Sequence, residues 1–316
     1  MSEQATAGQT RAAVEDVKYK RLITVPMFTQ EINGISYEFT NLSTITIVED
    51  NLYCLKTTNN KKDGKEIEQA AAIIKFKDFV SKPSFEDAPK AFVHHGSSYR
   101  IFEKPNAMAH YNKTFYITTG KEPGTGSQIL GVSYSGTGTD KGAVTAQITA
   151  KNRLYSITHY KGKYFIVGPK STREQEKEGI RRYHIGYVSG STFVYESSFQ
   201  VNVKKYYDQG YTFGNDIYYD SSGEKFYITL FIKKQIGDNE YIIEKNLVLC
   251  YDFNEKPSDG ATLTLARAMG VVCDTSKESM FEIEGMECYG GKKYVGSNCK
   301  KGKEQTDGIF QLYKPS

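Results

Sequence analysis

One short unit, written five times along the chain, restricts the possible folds more than any other feature. Its anchor is an aromatic residue in a β-prone run: "NLYCL" at Tyr53, "TFYIT" at Tyr116, "KYFIV" at Phe165, "KFYIT" at Tyr227 and "KKYVG" at Tyr294. Ten residues before the anchor come Ser43-Thr44-Ile45, Asn106-Ala107-Met108, Tyr155-Ser156-Ile157 and Glu284-Gly285-Met286. The fourth copy has a turn longer by two residues and gives Asn215-Asp216-Ile217. Between the two positions lie "EDN", "YNKT", "YKGK", "YDSSGEK" and "YGGKK", rich in the Asn, Asp and Gly that tight hairpin turns select.

A further strand follows each hairpin: "AAIIKFKDF", "SQILGVSYS", "RRYHIGYVS", "NLVLCYDF" and "DGIFQLYK". Copies start at 43, 106, 155, 215 and 284, so the period is that of a small antiparallel sheet, not of a whole domain. One such sheet cannot bury both faces, whereas a ring of them can. The expected fold is all-β: a five-bladed β-propeller spanning 19–316 behind a flexible or partly helical tail at 1–18. Too few residues follow position 284 to complete a fifth sheet. "YKRLITVPMF" at 19–28 is therefore expected to pair with or near "GIFQLYK" and close the ring. Two charged stretches, 58–69 and 168–182, read as protruding hairpin loops between strands. Composition agrees: 24 Tyr and 17 Phe favour pleated, half-buried strands.

Several function classes are excluded. Forty-one basic against 37 acidic residues leave a net charge of +4, too small for a nucleic-acid stripe or a basic membrane face. No apolar run is long enough to insert into a membrane. The N-terminus has no apolar signal core, which points to synthesis in a cytoplasm, with lysis or non-classical export as routes out. Five cysteines without a CxxC pair and five scattered histidines argue against structural zinc and for reduced thiols. Cys273, Cys288 and Cys299 are the candidates for a bridge in an exported protein. No GxSxG elbow, P-loop or dinucleotide fingerprint occurs.

If the first strand of each copy lines a central channel, its leading residues converge. Asn106, Tyr155, Asn215, Asp216 and Glu284 become channel-mouth binding residues, with Ser43 and Thr44 beside them, Glu282 just outside and Glu287 further along its strand. Asn106, Asn215, Asp216 and Glu284 also form an oxygen-rich set of the kind calcium takes; ordered water serves the same groups. His110 and His159 share one repeat position, which reads as packing between repeats.

"NAMAHYNKTFYITTG", "GNDIYYDSSGEKFYIT" and "EIEGMECYGGKKYVG" resemble repeats of the bacterial helveticin J and teichoic-acid-biosynthesis-C-like propellers. The resemblance covers about 40–316. It implies a five-bladed propeller acting at bacterial surfaces as a bacteriocin-like or phage-associated binding module. "EIEGMECY" also looks like the final-blade motif of calcium-dependent apyrases, and lactonase-type propellers place similar residues around an axial calcium. Two functions follow as expectations. One is a non-catalytic module that binds a cell-envelope glycan or a protein partner through one face, with no cofactor. The other is a calcium-assisted hydrolase with its site on the axis.

Overall fold

A computed structural model describes residues 13–314 apart from 33–34, 59–60, 63–64, 67–68, 82–91, 103–104, 134–143, 171, 238–239, 273–278 and 303. The described chain is mostly antiparallel strand. Among the described residues, helix is confined to two short pieces, Arg173–Glu178 and Lys204–Tyr207.

The first sheet runs, in spatial order, Phe28–Ile32, Ile35–Val48, Asn51–Thr58, Gln69–Phe76 and Phe92–Phe102. The second is Met108–Tyr111, Thr114–Thr118, Ile129–Ser133 and Val144–Ile148, and the third is Leu154–His159, Tyr164–Pro169, Ile180–Ser189 and Thr192–Asn202, with Ala261–Thr262 on its edge. A nine-stranded sheet follows, built from two four-stranded antiparallel halves and the short strand Glu304–Gln305, which pairs with Lys292–Lys301. One half is Thr212–Asp220, Lys225–Gly237, Glu240–Asp252 and Leu265–Val272; the other is Met280–Tyr289, Lys292–Lys301, Gly308–Tyr313 and Val14–Thr24. The halves meet where Val14 to Val17 runs parallel to Ala268 to Val271. Lys61–Lys62 and Lys65–Glu66 form a separate two-stranded ladder inside the first charged stretch.

The turns follow from their residues. Tyr289 faces Lys292 across Gly290 and Gly291, with φ of 57° and 73°, the left-handed pair a two-residue hairpin needs. Asn112 and Lys113 do the same at 48° and 63° between Tyr111 and Thr114. The second charged stretch is not a plain hairpin loop: it holds the helix Arg173–Glu178. Thr172 and Gln175 make a reciprocal capping box, and Gly179 closes the helix at φ 66°.

The N-terminal strand pairs with the C-terminal one, as the missing sheet edge requires: Lys18 opposes Tyr313, Tyr19 opposes Leu312 and Thr24 opposes Gly308. It begins at Val14, inside the stretch expected to be tail; residues 1–12 lie outside the described residues.

The leading strand of each array touches the next. Ile35–Val48 contacts Met108–Tyr111, which contacts Leu154–His159, then Thr212–Asp220, then Met280–Tyr289, which returns to Ile35–Val48. Apolar clusters fill the spaces between successive arrays. Leu55 and Ile73 meet Phe115 and Ile117, and Ile129 and Ile148 meet Phe165 and Phe193. Tyr183 and Phe199 meet Phe226 and Tyr251, Val248 and Met269 meet Phe281 and Phe310, and Ile309 and Tyr294 meet Leu42 and Ile74. Each fully buried Phe or Leu contributes about 1.5–3 kcal/mol, so stability sits between arrays and not within one. The last contact needs glycine. A Cβ on Gly285 would lie 2.6 Å from the Ile45 nitrogen, so these two backbones approach closer than any side chain permits.

A buried ion pair joins the same two arrays. Lys56 Nζ donates to Asp307 Oδ2 at 2.8 Å and to the Thr40 carbonyl at 2.8 Å, with both charged side chains fully buried. Asp307 Oδ2 also accepts from the Leu42 amide at 2.9 Å, and Oδ1 accepts from the Cys299 amide and the Gln305 side chain. Cys54, Cys250 and Cys288 are free thiols, the first two buried, and the buried Cys299 Sγ donates to the Ser297 carbonyl; Cys273 is outside the described residues.

Candidate functional site

Because each leading strand runs the same way, the residues that open the repeats gather at one end of the ring. Asn106, Tyr155 and Glu284 line a single cavity of about 410 Å³, together with Ser43, Asn41, Glu282, Asn298, Lys300 and Gln305. Sequence spacing thus brings three of the five expected mouth residues together. Glu282, expected just outside, is also in the wall.

Asp216 is elsewhere. It lines a second cavity of about 270 Å³, beside Thr46, His110, His159 and Glu287. Asn215 lies in the strand Thr212–Asp220, and its side chain is outside the described residues. The four residues read as a calcium set therefore do not share one cavity. Among the described residues, no three His, Cys, Asp or Glu side chains are placed to hold a metal ion.

The first cavity is polar and short of counter-charge. Glu284 Oε1 accepts from Asn298 Nδ2 at 2.7 Å. Burial, and then the neighbouring Glu282 carboxyl, push Glu284 well above the usual carboxylate range. Burial raises Glu282 too, opposed by the Lys233 and Lys300 ammonium groups. A carboxyl raised this way holds its proton to higher pH, and while protonated it donates a hydrogen bond as well as accepting one. Asn106 Nδ2 is buried and makes no hydrogen bond. Tyr155 presents its ring at the same mouth, with the Arg153 guanidinium 5.1 Å from its centroid.

Sequence reasoning missed the second cavity as a unit. His159 packs between repeats, as expected, stacking on Tyr111 of the preceding sheet at 4.9 Å, whereas the His110 ring lies 4.8 Å from Phe115 of its own sheet. They also share that cavity's wall, which their equal repeat position six residues before the anchor encodes. Glu287 accepts from Thr46 Oγ1 at 2.7 Å, and burial pushes its carboxyl up to about 8. Asp216 Oδ2 accepts from the Met286 amide at 2.9 Å, and burial raises it well above its ordinary value.

No protein-family model matches the chain, and comparison with curated proteins gives no significant match. Solved structures share its overall course at low similarity. A glycosyl hydrolase from Bacteroides ovatus is 12% identical, with 96% of this chain and 94% of that one covered at a TM-score of 0.39. The N-terminal domain of Nup159 is 10% identical over 95% and 89%, at 0.36. A mutant Trypanosoma rangeli sialidase displaying trans-sialidase activity is 9% identical over 93% and 57%, at 0.40. No helix is long and apolar enough to cross a membrane among the described residues.

Proposed function

We propose that the chain is a five-bladed β-propeller acting as a non-catalytic binding module, and that the Asn106–Tyr155–Glu284 mouth takes a glycan. The observation that carries this reading is the buried, unpartnered Asn106 amide nitrogen on a cavity wall. A buried donor without an acceptor costs about 1–3 kcal/mol, which a ligand oxygen would recover.

The rest of the wall fits the same class. Amides, a hydroxyl, two carboxyls and the Lys300 ammonium offer both donors and acceptors, as sugar hydroxyls require, and Tyr155 supplies a ring face. About 410 Å³ is within the usual range of small-ligand sites. A protein-binding face would instead centre on exposed aromatics; the exposed large apolar residues here, such as Ile236, Tyr241 and Val272, are not in this wall. The resemblance to surface-acting bacterial propellers makes a cell-envelope glycan the first class to try.

A glycan array followed by calorimetry tests this. Binding by the native chain, weakened at least about 10-fold in Asn106→Ala, supports it, since a buried hydrogen bond to a ligand is worth roughly that factor. No bound glycan, with capture of a protein partner or turnover of an ester or phosphate, overturns it.

A further inference from the structure

We propose that the cavity at the opposite end of the ring is a second binding site, for a small organic cation carrying a primary ammonium. It is independent of the glycan reading, because it uses none of the residues of the first mouth.

The cavity holds about 270 Å³, and all five leading strands contribute to its wall. Neither Lys nor Arg lines it; the ionisable side chains there are carboxyls, imidazoles and phenols. Two of the carboxyls, Asp216 at 4% exposure and Glu287 at 8%, are buried with only neutral donors against them: backbone amides, threonine hydroxyls and the Tyr218 hydroxyl. Buried acids normally meet a cation or a metal, and the described residues place neither here.

A second, separate observation points to an ammonium. Tyr219 also lines this cavity and is 3% exposed, and the group that engages its hydroxyl is the Lys161 ammonium at the rim. The chain itself indicates which chemistry this rim attracts. The Lys161 ammonium, 3.4 Å from Glu224, lies 5.7 Å from the centroid of the Tyr160 ring and reaches toward Tyr219 from outside. An ammonium one step further in would face Glu287 and Asp216, with the Tyr160, Tyr218 and Tyr219 rings around it. The volume suits an alkylammonium and not a polymer.

Binding is coupled to protons. Glu287 keeps its proton up to about pH 8, so a cation docking at pH 7 displaces that proton to buffer. The other groups facing the site are Glu49 and Asp216, the two histidines, and Lys161, Asp220 and Glu224 at the rim. His110 is pushed below its ordinary value by burial and then by His159, so it stays neutral at pH 7 and does not oppose a cation.

Calorimetric titration of the full chain with 1,4-diaminobutane tests the proposal, repeated in two buffers of different ionisation heat. The expected result is one site, a heat that depends on the buffer, and an affinity that rises as pH increases through about 8. Glu287→Gln, which keeps the oxygen that accepts from Thr46, should weaken binding at least about 10-fold by losing a charge-assisted bond. The change Glu49→Gln, at an exposed rim position, should weaken it about 2–3-fold, as a screened surface charge does. Asn106→Ala should leave it unchanged. The absence of heat at millimolar diamine, equal affinity in native chain and Glu287→Gln, or tighter binding of calcium than of the diamine would each overturn the proposal.

Discussion

At the residue scale, burial of acids dominates the account. Burial lifts Glu287 from about 4.5 to about 8, so the folded chain binds that proton more tightly than the unfolded chain does. The resulting stability is complete below the unfolded value and is lost as pH rises through about 8. Denaturant midpoints measured from pH 5 to 9 should therefore fall across this range, and Glu287→Gln should flatten the decline. A midpoint that climbs with pH would contradict the assignment. The closure contacts predict two more costs. Gly285→Ala forces a methyl against the Ile45 backbone and should cost about 1–3 kcal/mol, read by urea unfolding. Lys56→Met strips the buried Asp307 of its cation and should cost about 3–5 kcal/mol, whereas changing Lys56 and Asp307 together to apolar residues should cost less. Neither contact could be read from sequence, because Lys56 and Asp307 sit in arrays far apart in the chain and carry no local pattern.

At the element scale, hairpins were legible and outer strands were not. The aromatic anchor, polar turn and following apolar run correctly placed Asn51–Thr58, Thr114–Thr118 and Lys292–Lys301, because turn chemistry and alternation are local signals. Phe92–Phe102, Val144–Ile148 and Thr192–Asn202 had no such flag: an outer strand is half solvated and its composition varies. Thr172 and Gln175 stand at capping-box spacing, a local signal that reading 168–182 by its charge passed over. The N-terminal strand was found by counting what the last repeat lacked. Its removal is a direct test. Deleting residues 1–24 should leave Gly308–Tyr313 an unpaired apolar edge, giving aggregation on size exclusion and a lower melting temperature. A monomer as stable as the full chain would mean the pairing is dispensable.

At the scale of the whole molecule, the repeat encoded the convergence of its leading residues but not the depth at which each one sits. A strand passes from one mouth to the other within a few residues, so Asn106 and Glu284 reach the first cavity while Asp216, one position further on, reaches the second. This separation bears on metal binding: calcium added to chelator-treated protein should leave the melting temperature unchanged, since a ligand that binds only the folded state would raise it. The most direct test of the central claim, a ring of five sheets with a sugar-binding mouth, is a crystal structure of the chain grown with its array-selected glycan. The account predicts five sheets around one axis and a sugar oxygen within hydrogen-bond reach of Asn106 Nδ2. A different number of sheets, or a sugar seated on the outer rim away from Asn106 and Glu284, would contradict it.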